Sequence, residues 1–366
     1  MTQATTPRPV PSLGRLPRAE LLARARSGGI VYPFILLFIV LAIWKGHTFY
    51  GTTNLLAILD QQASTLIIAA AGTMVLVAGG IDLSVGATYA LAQVVTTKLV
   101  MSMDPVPAIL IGIVVGLAVG AVNGVVATYF RINSLIATLA MSFVVTGIAS
   151  LVTGGNLIIA YSALGFANFA RTQFLSVTTA AWTMIFVIIV LGVVLWRTVA
   201  GRYMYAAGSN AEAARLAGVR VQQVKLLTFV ISGGAAALGG IIDASRVLSA
   251  QSSNGGTTLT FTVLAGIVVG GTSILGGEGA IWRTVVGTLF IAIIGNGFVL
   301  AALNPLYEQI TLGVILLIAV GADAWSRLRT SLGRHRGALR LRDCVVAVAG
   351  YGPLLRDRCR YSGSDA

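Results

Sequence analysis

Apolar runs of about 20 residues recur along most of this chain, each long enough to cross a bilayer as a helix. They constrain the fold more than any other feature, because backbone polar groups in hydrocarbon must be satisfied within the segment. The runs are continuously apolar, whereas barrel strands alternate with period two, so helices are expected. Hydrophobic residues make up 56% of the 366 residues and charged residues 10%, against about a quarter charged in ordinary soluble domains. The expected spans are about 31–46, 62–79, 85–101, 107–129, 134–153, 180–196, 225–245, 259–273, 283–302 and 307–325. Residues 47–61 read as a short external connection and 154–179 as a longer external loop. No signal-peptide cleavage pattern precedes the first run, which is long enough to remain as a span.

Charge fixes the expected orientation. The net charge is +13, and it clusters. Residues 1–29 hold five Arg and one Glu, 196–225 hold four Arg and Lys225 against Glu212, and 326–366 hold nine Arg and three Asp. Basic loops stay on the cytoplasmic side. Ten spans with an internal N-terminus place all three basic segments there, and one span more or fewer would move one of them outside. The expected protein is therefore an all-α polytopic membrane protein of about ten transmembrane helices with both termini cytoplasmic. It comprises a basic arm (1–29), a transmembrane domain (30–325) with a cytoplasmic loop at about 201–224, and an Arg-rich tail (326–366). Charge confined to segments flanking apolar runs argues against nucleic acid as a partner. The tail's apolar stretch, Cys344 to Leu355, is too short to span and reads as disordered or lying on the anionic inner leaflet.

Two Gly-rich breaks interrupt the apolar pattern: Gly79-Gly80-Ile81-Asp82-Leu83-Ser84-Val85-Gly86 and Gly270-Gly271-Thr272-Ser273-Ile274-Leu275-Gly276-Gly277-Glu278-Gly279. Broken helices leave backbone groups unpaired, which is tolerated only inside protein or along a wet cavity. Asp82 lies close to two apolar spans, where charges are costly and tend to be functional. The competing reading makes Asp82 or Ser84 the N-cap of the next helix. Gly112, Gly116, Gly120 and Gly124 recur every four residues, a stripe that lets a neighbouring helix approach closely.

The central polar stretch carries a compact helix signal. Ser209-Asn210-Ala211-Glu212 fits a capping box with Ser209 as the cap. Ala211 to Ala217 are good helix formers, and Gly218 stands where a left-handed C-terminal cap is wanted. Arg215 follows Glu212 by three residues, on the same face. Ala213, Leu216 and Ala217 form a small apolar face. Pattern alone also suits an ordinary surface helix.

Catalytic chemistry is not indicated. No G-x-x-x-x-G-K-[ST] occurs, so Gly276-Gly277-Glu278-Gly279 is not a P-loop. No Ser/His/Asp or paired-carboxylate constellation lies within the spans. Cys344 and Cys359 give no metal spacing or disulfide framework, and His47 and His335 are far apart and read as solvated.

The Gly79–Gly86 signature resembles that of the ribose-type membrane permeases of ATP-binding-cassette sugar importers. Agreement continues in order through Asn123-Gly124, Ile136-Ala137-Thr138-Leu139, the run Gly208 to Gly218, Gly270-Gly271-Thr272-Ser273, Gly276 to Gly279 and Asn296-Gly297. The resemblance implies a cytoplasmic coupling helix, with Ser209, Asn210, Glu212, Ala213, Ala214, Arg215 and Gly218 docking in a groove of a separate ATPase. It further implies a second permease copy (identical or a paralogue), an extracytoplasmic sugar-binding protein, and residence in the bacterial inner membrane. ATP and Mg would belong to the partner ATPase, with no cofactor in this chain. Departures concern substrate: Thr260 and Thr262 stand near where many relatives carry an acid, and Gln251 to Gly256 lacks a proline common there.

Polar side chains within spans, Gln61, Gln62, Thr65, Asn123, Thr138 and Asn296, are candidates for the solute path. The competing reading for each is interhelical hydrogen bonding, worth about 0.6 kcal/mol on average. The absence of intramembrane Lys or Glu partners suggests a neutral, hydroxylated cargo and argues against an ion-coupled carrier. A permease for branched-chain amino acids or another small solute, an ATPase-independent carrier and a non-transporting membrane anchor are the alternatives.

Overall fold

The computed structural model describes residues 29–161, 163–304, 306–307 and 309–321. The expected basic arm, the Arg-rich tail and both cysteines lie outside the described residues, apart from Gly29 at the end of the arm. The fold is mainly helical. Helices α1 (Val31–Lys45), α2 (His47–Tyr50), α3 (Thr52–Gln61), α4 (Ala63–Val77) and α5 (Val85–Leu99) form the first part. Then come α6 (Pro105–Thr128), α7 (Ser134–Thr153), α8 (Leu164–Arg171) and α9 (Thr179–Arg197). The polar centre holds α10 (Val199–Ser209) and α11 (Ala211–Leu216), followed by α12 (Val221–Val247), α13 (Gly256–Val269) and α14 (Ile281–Leu300). The described residues up to 307 belong to one compact unit. Helix α15 (Gln309–Gly321) belongs to a second.

Helix α12 is the scaffold of the first unit. Its apolar window is 61% buried, against 17% to 33% for the other four long apolar helices. It packs against α4, α5 and α6. The glycine stripe explains the last contact. A Cβ on Gly116 would lie 2.5 Å from the Gly233 carbonyl oxygen, and one on Gly120 would lie 2.3 Å from that of Phe229. Gly233 returns the contact, since its own Cβ would lie 2.2 Å from the Gly116 carbonyl oxygen. The two backbones therefore touch without intervening side chains, the close approach that small residues allow.

Short sheets finish the end of the bundle where α12 stops. Strands β1 (Ile158–Ile159) and β4 (Ser249–Ala250) pair antiparallel, with Ile158 opposite Ala250. Strands β2 (Gln173–Phe174) and β3 (Val177–Thr178) form a hairpin. Ser245 ties α8 to the scaffold: its hydroxyl donates to the Phe166 carbonyl at 2.6 Å and accepts from the Ala170 N–H at 3.0 Å.

One expectation needs correction. Residues 47–61 are helical rather than a plain connection. Leu55–Leu59 is a continuous apolar run that continues the helix, and α3 meets α4 at a 51° bend centred on Gln62. The expected spans are matched in part. Among the described residues five helices are long and apolar enough singly, six if the bent pair counts once, while α1, α13 and α15 are shorter apolar helices. The Gly-rich breaks account for part of the difference, because they consume chain that would otherwise lengthen α4, α5 and α13.

Gly120→Val should lower the melting temperature of the detergent-solubilised protein sharply, because overpacking against rigid backbone costs at least the upper part of about 1–3 kcal/mol. Gly147→Ala, where an added Cβ meets nothing within 4 Å, should leave it unchanged; equal melting temperatures would contradict the α6–α12 contact.

Candidate functional site

The polar centre folds as two helices meeting at an extended residue. Asn210 has φ −156° and ψ 99°, and its side-chain oxygen accepts from the N–H groups of Glu212 at 3.1 Å and Ala213 at 3.0 Å. Asn210, not Ser209, is thus the N-cap, which corrects the expected capping box. Ser209 completes α10, so the register moves one residue and Glu212 is too near the cap to reach back to it. Its carboxylate instead accepts from Arg215 at 2.6 Å, with both side chains about two-thirds exposed (66% and 67%). An exposed pair of this kind adds at most about 1 kcal/mol.

The C-terminal cap agrees with expectation. Gly218 has φ +86°, its N–H donates to Arg215 O at 3.0 Å, and the Val219 N–H donates to Ala214 O at 3.0 Å. This pair of bonds is a Schellman motif. Ala213, Arg215, Leu216 and Ala217 are exposed, and Ala214 is buried toward the body. Helix α11 is short, capped at both ends, and presents charge and a smooth apolar patch outward.

Three stretches distant in sequence meet behind it. A Cβ on Gly208 would lie 1.9 Å from the Val77 carbonyl oxygen and 2.6 Å from the Gly277 nitrogen. One on Gly276 would lie 2.8 Å from the Gly79 Cα, and one on Gly277 2.8 Å from the Ser209 Cα. The Gly277 N–H donates to Val77 O at 2.9 Å, and the Tyr205 hydroxyl donates to Gly279 O at 2.7 Å. Burial pushes the Tyr205 phenol up, which keeps that donor protonated. Gly79, Gly276 and Gly277 all have positive φ. Main chain therefore touches main chain where α4, α10 and the second break converge. Elsewhere in that break, Gly270 packs on Arg283 of α14, Gly271 has φ +81°, and Glu278 is exposed while its carbonyl accepts from the Ser273 N–H at 3.0 Å.

The first break is stitched by side chains from three helices. The Ile81 N–H donates to Ser134 Oγ at 3.1 Å and the Leu83 N–H to Thr138 Oγ1 at 2.9 Å. Asp82, 6% exposed, accepts from the Ser84 N–H at 3.0 Å, the Ser84 hydroxyl at 2.7 Å and the Ser232 hydroxyl at 2.8 Å. Asn123 Nδ2 donates to Ser84 Oγ at 2.7 Å. Ser84 is the N-cap residue of α5, but its side chain makes no cap bond; Asp82 satisfies that turn. Gly80 packs on the Phe229 ring, and a Cβ on Gly86 would lie 2.0 Å from Gly256 O.

The candidate path residues are not gathered in one place. Asn123 and Thr138 belong to the stitched break. Asn296 exchanges amide hydrogen bonds with Asn54 at 2.9 and 3.1 Å. Thr65 is buried, Gln62 marks the bend and Gln61 is exposed. Sequence reasoning also missed a charged network. Tyr89 Oη donates to Asp243 at 2.6 Å, and Arg246 lies 3.0 Å from Asp243 and 3.3 Å from Asp60. Thr178 donates to Asp60 at 2.5 Å. The available signal was Asp243 and Arg246 three residues apart, one helical turn. Among the described residues no group of His, Cys, Asp and Glu could hold a metal.

Residues 54–320 match the family described as "Branched-chain amino acid transport system / permease component". The chain belongs to this family of permeases. The permease is 37% identical over 295 residues to the ribose import permease protein RbsC of Bacillus subtilis, covering 80% of this chain and 91% of that protein. It is 34% identical to the RbsC protein of Escherichia coli K12, covering 79% and 91%. To the L-arabinose permease protein AraH of Azospirillum brasilense it is 35% identical, covering 83% and 92%. No solved structure matches. With its several apolar helices, the permease is a multi-pass protein of the inner membrane.

Asn210→Ala should cost about 1 kcal/mol of α11 stability. Hydrogen exchange of the Glu212 and Ala213 amides in the intact permease should accelerate several-fold, and unchanged exchange would remove Asn210 as the cap.

Proposed function

We propose that this permease forms the translocation path of an ATP-driven, binding-protein-dependent importer of a monosaccharide, a ribose-like pentose or a hexose. The observation that carries the reading is the similarity, over about four-fifths of the chain, to proteins named for ribose and L-arabinose permeases. A D-allose transport permease of Escherichia coli K12, 32% identical over 79% of this chain, supports the same class of cargo.

In this reading ten spans place the arm, the polar centre and the tail in the cytoplasm. The solute moves between two permease copies, and a binding protein delivers it from outside. ATP and Mg are handled by a separate ATPase, and this chain needs no cofactor. Helix α11 docks in a groove of that ATPase through Asn210, Glu212, Ala213 and Arg215, while Ser209, Ala214 and Gly218 hold it in place. A helix capped at both ends suits the task, since a floppy loop would absorb the motion it should transmit. The contacts of Gly208 and Ser209 with the second break, and of Gly208 with α4, support a direct route from α11 to both breaks.

Glu212→Lys reverses an exposed charge beside the helix N-terminus, where the dipole term is about 0.3–1 kcal/mol, so insertion should be intact. Coupled uptake should be abolished. A gentle pull-down from native membranes should bring the ATPase with the wild type and less of it with the variant. Normal uptake by Glu212→Lys would sink the assignment of α11. Solute movement by the purified permease alone, driven by an ion gradient, would replace the importer with a carrier. Transport of leucine, isoleucine or valine in preference to a panel of pentoses and hexoses would replace the sugar.

A further inference from the structure

A helix face turned to lipid should carry apolar side chains, and three long helices of the permease obey this rule. Every exposed residue along α6 and α7 is apolar, as is every one along α9 apart from the terminal Arg197. On α5 and α12 the exposed polar residues, Lys98, Gln222 and Gln223, lie only at a helix end, whereas two further elements carry them along a face. On α3 the exposed residues are Thr52, Thr53, Ala57 and Gln61; on α13 they are Thr257, Thr258 and Phe261. Thr53, Ala57 and Gln61 are spaced by four and share one face of α3.

The same two elements are the irregular ones. Helix α3 is the first limb of the bent pair, which passes as one apolar span only together with α4. Helix α13 is short and follows unwound chain at 251–255, where Asn254 donates to the buried Gln93 at 3.0 Å. Irregular backbone at membrane depth belongs inside protein or along a wet cavity. Both elements also contact one helix: α13 packs on α14, and α3 is joined to α14 by the Asn54–Asn296 amide pair.

We propose that the exposed faces of α3 and α13, two elements that both contact α14, line the wet path taken by a neutral, polyhydroxylated solute. The cargo class rests on the function proposed above; the wetness of the faces does not. Their chemistry suits such a solute. Threonine hydroxyls and the Gln61 amide both donate and accept, as sugar hydroxyls do, and no charged side chain is exposed on either face. The Thr262 hydroxyl donates to Thr258 O at 2.9 Å, which leaves its oxygen to accept from water or solute. Phe261, 45% exposed, offers an apolar surface to the C–H face of a pyranose or furanose ring. The buried Asn123 and Thr138, already bonded within the first break, are positioning residues rather than path residues.

Cysteine accessibility in the assembled transporter tests this. In a Cys344→Ser, Cys359→Ser background, single substitutions Gln61→Cys, Thr258→Cys and Thr262→Cys would be exposed to a charged, membrane-impermeant thiol reagent. Val144→Cys and Phe186→Cys report lipid-facing surface, and Leu175→Cys reports an exposed hairpin turn that belongs to neither face. Modification is read by mass and uptake with D-ribose, L-arabinose and D-allose. We expect modification at Gln61, Thr258 and Thr262 with loss of uptake, slowed by the transported sugar. Leu175→Cys should be modified without loss of uptake or protection, and Val144→Cys and Phe186→Cys should not be modified. Resistance at Thr258 and Thr262, or modification there without loss of uptake in an active transporter, overturns the inference. A cysteine-free parent that transports none of the sugars while the mass pattern holds counts against the cargo and leaves the wet faces standing.

Discussion

A backbone amide in hydrocarbon has no water to turn to, and this permease is arranged around that constraint. Its continuous helices satisfy it internally. Its two breaks cannot, and the surrounding structure supplies the missing partners. Ser134 and Thr138 accept from the chain at Ile81 and Leu83, Asp82 closes the turn into α5, and the Val77 carbonyl accepts from Gly277. An unsatisfied buried group costs about 1–3 kcal/mol, so these few bonds decide whether the breaks can exist. Asp82 is held by two serines, one from its own turn and one from the scaffold helix. A carboxylate at that depth can be explained as a structural joint.

Close backbone approach is the second half of the design. The α6–α12 contact and the junction of Gly79, Gly208 and Gly276 both depend on missing side chains. Glycine carries an entropic cost within helices of about 1 kcal/mol relative to alanine. Here that cost is offset by interhelical dispersion contacts at distances a Cβ would forbid.

Much of this was legible in the chain. The four-residue spacing of Gly112 to Gly124 announced a close helix contact, and the apolar runs placed helices close to where they lie. The partner of the glycine stripe was not legible, because Phe229 and Gly233 sit in an unrelated stretch and spacing within one helix says nothing of another. The cap of α11 was misread by one residue: Ser209 and Asn210 are both good caps, and only the end of α10 decides between them. Residues 47–61 looked like a connection because Thr52, Thr53 and Asn54 are polar, yet the following Leu-Leu-Ala-Ile-Leu run carries the helix. The Asp60–Arg246–Asp243 network escaped notice because its members come from helices that meet only in three dimensions. The path residues were sought among all polar side chains within spans, but interhelical bonding already accounts for Asn123, Thr138 and Asn296.

The junction behind α11 has a mechanical meaning. Contacts made through side chains have slack, because rotamers can turn before the backbone must move. Peptide resting on peptide has almost none. A displacement entering at Ser209 would therefore be passed to α4 and the second break together. Were a partner to push on α11, the two breaks would be expected to move in step.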